Sequence, residues 1–111
     1  MGPRDAVIIL KERMKEKFDK KGSLLKDLKA VINIIITGKE KGCITVSIDG
    51  NDIAISEDEG DDADIVISID SENLMKIING KISYKNAFFK GKLTIEGDFF
   101  LALKIISLMK D

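Results

Sequence analysis

A branched aliphatic residue, in most cases isoleucine, recurs at every second position in four separate segments, and this alternation constrains the fold more than any other feature. Alternate side chains of a strand lie on the same face of a sheet. The segments therefore predict four strands, each with one face toward a core and one toward water. The alternating residues are Ile32, Ile34 and Ile36; Ile44, Val46 and Ile48; Ile53 and Ile55; and Ile65, Ile67 and Ile69.

The connections between these segments predict an antiparallel meander. Asp49-Gly50-Asn51-Asp52 is typical of a tight hairpin turn, because Gly and Asn accept positive φ. Residues 37–42 form a looser hairpin loop, and the acidic residues 57–62 lead to the fourth strand. A fifth strand is predicted over residues 92–96, with Leu93 and Ile95 pointing inward.

Helices are predicted before, between and after the strands. One covers residues 3–20, and a short second one follows with Ser23 as its N-cap. A third helix begins at Asp70 or Ser71 and ends at Asn79-Gly80, and Asp98 caps the terminal helix. Residues 81–91 are predicted as a connecting stretch. The apolar stripes of the first three helices are Val7, Leu10, Met14 and Phe18; Leu24, Leu25 and Leu28; and Leu74, Ile77 and Ile78.

Together these elements predict one α+β domain over residues 1–111, with helices packed on one face of a mainly antiparallel sheet. No repeat, linker or low-complexity tract divides the chain. The short apolar run at residues 7–10 is no signal peptide or membrane span, and the final residues 108–111 are not a peroxisomal address. We therefore expect a cytoplasmic protein.

Composition excludes several function classes. The chain has 18 Lys and Arg against 19 Asp and Glu, a formal net charge of −1, which argues against nucleic-acid binding. It has no His, so a hydrolase triad is excluded, and Cys43 is its one cysteine. Residues 57–62 lack the ligand order of a calcium loop. We expect no catalytic residue, no metal and no cofactor, and hence no enzyme.

The terminal helix is apolar nearly all round, and such a helix must be covered on more than one side. Packing by the other helices would explain this as ordinary core. Alternatively, the extra face lines a cavity for an apolar ligand, or docks on another protein or a second copy. Four of the five Phe lie between positions 88 and 100, which favours the cavity. The predicted ligand-binding residues are Ile78, Phe88, Phe89, Phe99, Phe100 and Leu103.

The second half of the chain carries a series of short motifs in a fixed order. Ala63-Asp64 opens a strand, and a helix ends in Gly80-Lys81. Ala87-Phe88, Gly91-Lys92-Leu93 and Gly97-Asp98 then precede the terminal helix. In this order and spacing the chain resembles the sterol carrier protein type two (SCP-2) lipid-transfer domain family. It departs from the family where Ser83-Tyr84 stands in place of a common Pro.

The resemblance implies a five-stranded sheet, helices on one face and an apolar tunnel between them. It also implies non-catalytic binding, or transfer, of a fatty acid, a fatty acyl-CoA, an isoprenoid or a sterol-like lipid. Lys81, Lys85, Lys90 and Lys92 have no acidic residue among them, so they are candidates for contacts with an anionic head group; an ordinary solvated basic loop is the alternative. Lipid binding or transfer is consistent with transient contact with a membrane surface or a lipid-metabolising enzyme. The competing hypothesis is an interaction or homodimerisation domain that docks through the terminal helix.

Overall fold

The structure is a computed structural model that describes residues 5–21, 28–50, 52–57 and 62–108. Within these ranges the helices are α1 (Asp5–Lys21), α2 (Ser71–Ile78), α3 (Tyr84–Phe89) and α4 (Phe99–Leu108). The strands are β1 (Lys29–Thr37), β2 (Gly42–Asp49), β3 (Asp52–Ser56), β4 (Ile65–Asp70) and β5 (Leu93–Gly97). The predicted α+β class is confirmed.

All five strands form one sheet in the order β3-β2-β1-β4-β5. The pairs β1–β2, β2–β3 and β4–β5 are antiparallel, so the predicted meander and the mainly antiparallel sheet are confirmed. In the central pair, β4 adds beside β1 rather than beside β3 and runs parallel to it. The sheet is therefore mixed, a detail that alternation alone does not reveal.

The registers align the aliphatic residues in rows across one face of the sheet. Ile34 is opposite Ile44 on one side and Ile67 on the other, and Ile67 is in turn opposite Ile95. All four helices contribute to the same core, through Leu10 and Met14 of α1 and through residues of α2, α3 and α4. The other face of the sheet carries Asn33 and Thr45, whose side chains form a buried hydrogen bond of 2.9 Å.

Asp64 fixes the position of β4 beside β1. Its backbone N–H donates to the Val31 carbonyl oxygen at 2.8 Å, and its Oδ2 accepts from the Val31 backbone N–H at 2.8 Å. The Ala63-Asp64 motif therefore has a structural explanation. It sets the register in which Ile32 pairs with Ile65.

Side-chain oxygens cap the helices that follow β4. Asp70, one of the two candidates, accepts from the backbone N–H of Asn73 and begins α2. Asp98 Oδ1 accepts from the Leu101 backbone N–H at 3.0 Å and caps α4 as predicted. Ser83 Oγ accepts from the Asn86 backbone N–H at 3.1 Å and begins α3.

The prediction of residues 81–91 as a connecting stretch was wrong, because α3 lies within it. This helix has six residues, so its apolar positions Tyr84, Ala87 and Phe88 make only one short i, i+3, i+4 set, which is too brief to predict a helix. The short helix predicted from Ser23, Leu24, Leu25 and Leu28 lies outside the described residues except for Leu28, which directly precedes β1 and is not helical. Pro3, Asn51 and residues 58–61 also lie outside the described residues.

Gly97 ends β5 with a φ of +98°, and a Cβ there would lie 2.1 Å from the Asp64 carbonyl oxygen. We expect Gly97→Ala to lower the free energy of unfolding by about 3 kcal/mol or more, because a clash adds to a strained backbone. Gly91→Ala is the matched control: φ is +73° and no atom lies within 4 Å of the added Cβ. It should cost only about 1–2 kcal/mol. Urea unfolding measures both, and equal losses would contradict the close approach at Gly97.

Candidate functional site

A small apolar cavity lies between the sheet and the helices. Among the described residues, six elements contribute to its lining, and every lining side chain except that of Tyr84 is aliphatic. The cavity therefore has the chemistry to hold a hydrocarbon chain. The lining residues are Leu10, Ile34, Ile67, Ile69, Leu74, Ile77, Ile78, Tyr84 and Leu93.

The volume of this apolar cavity is about 70 Å³. For comparison, an engineered apolar cavity of roughly 150 Å³ holds a molecule of benzene. A long acyl chain therefore fits only if the helices move away from the sheet. Two of them are short, with eight residues in α2 and six in α3.

A wider groove of about 520 Å³ opens between α2 and α3 on the outer surface. Four lysines line it, Lys76, Lys81, Lys90 and Lys92, and no carboxylate lies among its described lining residues. Asn73, Ser83 and Asn86 add polar groups. We call it the lysine groove, and its composition suits an anionic group in contact with water.

Ile77 and Tyr84 line both the lysine groove and the apolar cavity. These two side chains therefore separate a cationic outer compartment from an apolar inner one. An amphiphile whose tail passed between them would place its polar end among the lysines. This geometry is the main feature of the candidate site.

A second groove, of about 530 Å³, shares Asn73, Lys76 and Lys92 with the lysine groove. It also has Asp70 and Glu72 in its lining. Lys76 Nζ lies 3.7 Å from Glu72 Oε1, which reduces the positive charge that Lys76 contributes to both grooves. The second groove is therefore less suited to an anion.

The structure places the predicted site residues in three different environments. Ile78 lines the apolar cavity, and Lys81, Lys90 and Lys92 line the lysine groove. Lys85 is exposed on α3 and is not among the lining residues of the groove. Lys76, Ile77 and Tyr84 were not among the predicted site residues.

The four predicted Phe lie together beside the edge strand β5, outside the lining of the apolar cavity. Phe88 and Phe99 are half-buried, with ring centroids 4.9 Å apart. Phe89 and Phe100 each contact one of these rings edge-on, and their side chains are 80% and 83% exposed. Phe100, a predicted ligand-binding residue, is exposed and is not among the lining residues of the apolar cavity. Contact of the other predicted rings with a ligand stays a prediction.

The terminal helix α4 is only partly covered. Ala102 is fully buried, Leu101 and Leu103 are half-buried, and Phe100 and Lys104 are exposed. The structure does not describe the side chains of residues 105–108. The described part of the helix therefore presents one face to solvent.

Within residues 5–21, 28–50, 52–57 and 62–108, no group of three or more His, Cys, Asp or Glu is placed to hold a metal ion. None of the helices in those ranges is both long enough and apolar enough to cross a membrane.

Comparison with known proteins identifies the family of this chain. The sequence model of the SCP-2 sterol transfer family matches residues 10–110. The chain belongs to the SCP-2 sterol transfer family. Similar proteins include hydroxysteroid dehydrogenase-like protein 2 of Danio rerio, 49% identical over 47 residues, which are 42% of this chain and 11% of that protein. The same-named protein of Bos taurus is 32% identical over 88 residues, which are 78% of this chain and 21% of that protein.

This SCP-2 chain thus spans about a fifth or less of the length of these two relatives. Among solved structures, a palmitated SCP2L2 from Aedes aegypti resembles it with a TM-score of 0.66 and 16% identity. The match covers 90% of this chain and 94% of that one. At this identity the likeness shows the fold.

Tyr84 gives a test of the wall between the two compartments. Tyr84→Ala removes part of this wall, so we expect anilinonaphthalene sulfonate, an anionic apolar probe, to associate severalfold faster. Tyr84→Phe keeps the ring and should associate at the wild-type rate. Stopped-flow fluorescence measures both rates. Equal rates for all three proteins would show that the probe does not pass this wall.

Proposed function

We propose that this chain binds a long-chain fatty acid or fatty acyl-CoA, with the acyl chain in the enlarged apolar cavity and the anionic head in the lysine groove. Membership in the SCP-2 sterol transfer family supports lipid binding or transfer in general. One observation carries the proposal: the aliphatic cavity and the four-lysine groove share Ile77 and Tyr84. The palmitated form of the Aedes aegypti protein supports the same ligand class.

The two compartments supply different parts of the binding free energy. Each buried methylene contributes about 0.8 kcal/mol, so the acyl tail provides most of the affinity. The lysines, which are exposed, contribute less, because water and salt screen their charges. Their main effect is to orient the ligand with its head outward. Among the lipids that the family resemblance implies, this favours acyl anions over neutral sterols and isoprenoids.

The proposed role is binding and transfer without catalysis, by one lipid-binding domain over residues 1–111. The chain has no His, and the cavity lining contains no charged side chain among the described residues. Because the chain covers 21% of the bovine hydroxysteroid dehydrogenase-like protein 2, we assign to it lipid binding and no activity of a longer protein. A cytoplasmic location and a transient encounter with a lipid-metabolising enzyme complete the proposal.

Displacement of a fluorescent fatty acid tests the function directly. The probe should bind saturably with a strong rise in emission, and palmitate should displace it. A neutral sterol should displace it less effectively, because it has no group for the lysine groove. Thermal unfolding of the same sample verifies the fold. An intact protein that binds no probe at saturation would contradict the proposal.

The lysine groove is tested by a matched pair of charge reversals. Lys81 lines the groove and Lys85 does not, although both are exposed and they are four residues apart. We expect Lys81→Glu to weaken palmitoyl-CoA binding about threefold to tenfold at low salt, and Lys85→Glu to have little effect. Titration calorimetry measures both.

The difference between the two variants should shrink as salt rises, because the head-group contact is exposed to water. Equal weakening by Lys81→Glu and Lys85→Glu would indicate a general electrostatic effect. That outcome would remove the groove from the proposed site.

A further inference from the structure

Two phenylalanine side chains protrude from the protein beside the edge strand β5. Phe89 at the end of α3 and Phe100 at the start of α4 are 80% and 83% exposed. Phe88 and Phe99 lie between them, half-buried, with their ring centroids 4.9 Å apart. We call these four residues the aromatic row. The apolar cavity does not use it, so the exposure of its outer rings needs another explanation.

Lysines flank the aromatic row along the chain. The residues of α3 and α4, and the three residues that follow α3, include Lys85, Lys90, Lys92 and Lys104 but no Asp or Glu. All four lysines are exposed. The row thus combines protruding aromatic rings with a cationic surround.

The acidic residues nearest in sequence, Glu96 and Asp98, offset this charge only in part. Asp98 keeps its negative charge as the N-cap of α4, where its Oδ1 accepts from the Leu101 backbone N–H. Glu96 pairs with Val66 in the register that places Leu93 and Ile95 toward the helices, so it belongs to the opposite face of the sheet.

We propose that the aromatic row is a membrane-docking surface, which inserts Phe89 and Phe100 into the interface of a bilayer that contains anionic lipids. Aromatic and aliphatic side chains with a lysine surround are typical of proteins that lie on such a surface. The area argues against a second copy as the occupant. Two Phe rings offer roughly 300–400 Å² between them, and a stable dimer needs about 800 Å² per partner.

Docking in this position has a consequence for the lysine groove. Lys90 follows Phe89 directly in sequence and lines the groove. Insertion of Phe89 therefore brings the groove close to the lipid head groups. The docking surface does not depend on which ligand the cavity holds, because none of the aromatic row lines that cavity.

The chain has no Trp, so a single introduced Trp reports on its own surroundings. Phe100→Trp is the reporter, and Ile8→Trp on α1, where Ile8 is 46% exposed, is the control. Vesicles of equal parts phosphatidylcholine and phosphatidylserine should shift the emission of the first to the blue and leave the second unchanged. Brominated lipid should quench only the first. No shift for Phe100→Trp, or equal shifts for both, overturns the proposal.

Loss of binding is measured by vesicle sedimentation. We expect the double variant Phe89→Ser/Phe100→Ser to bind these vesicles at least about tenfold more weakly, and Ile8→Ser to bind like the wild type. Lys85→Glu should weaken binding to the mixed vesicles but not to pure phosphatidylcholine. Thermal unfolding verifies that each variant is folded. A concentration-dependent dimer that the double variant abolishes, without any loss of vesicle binding, would overturn the proposal in favour of a protein interface.

Discussion

Burial of the aliphatic side chains on one face of the sheet holds the rest of the structure in place. Helices as short as α2 and α3, with eight and six residues, are not stable alone in water. They persist because Leu74 and Ala87 pack onto rows of isoleucine that the strand registers align. Asp64 sets the central register through two hydrogen bonds to Val31. The apolar cavity is the space that these short helices leave unfilled.

Because short helices form one wall of this cavity, movement of those helices would enlarge it for a long ligand. Its volume of about 70 Å³ is too small for an acyl chain. Its outer wall consists of two short helices joined by residues 79–83, so enlargement of the cavity would involve the movement of α2, α3 and this connection. The lysine groove and the apolar cavity are different spaces, and they share only Ile77 and Tyr84 among their described lining residues. A ligand with one apolar and one anionic part matches both surfaces at once.

Much of the fold could be predicted, because alternation, turn residues and caps are local. The strands, the meander and the cap at Asp98 all follow from short stretches of sequence. The parallel β1–β4 pair could not, since alternation looks the same in both pairing directions and Asp64 lies far along the chain from Val31. The helix α3 has six residues, too few for its apolar positions to predict a helix. Ser83 three positions before Asn86 was the one local signal of its start.

The candidate site was less accessible to prediction, because six elements supply the cavity lining and side-chain exposure is a tertiary property. Ile78 was identified from its helix stripe, whereas Ile77 and Tyr84 gain their importance only where α2 meets α3.

The central claim is that an acyl chain occupies this cavity. Nuclear Overhauser contacts from ¹³C-labelled palmitate test it most directly. The account predicts contacts from the acyl chain to the methyl groups of Ile34, Ile67 and Leu74; contacts confined to Phe89 and Phe100, or none, would contradict it.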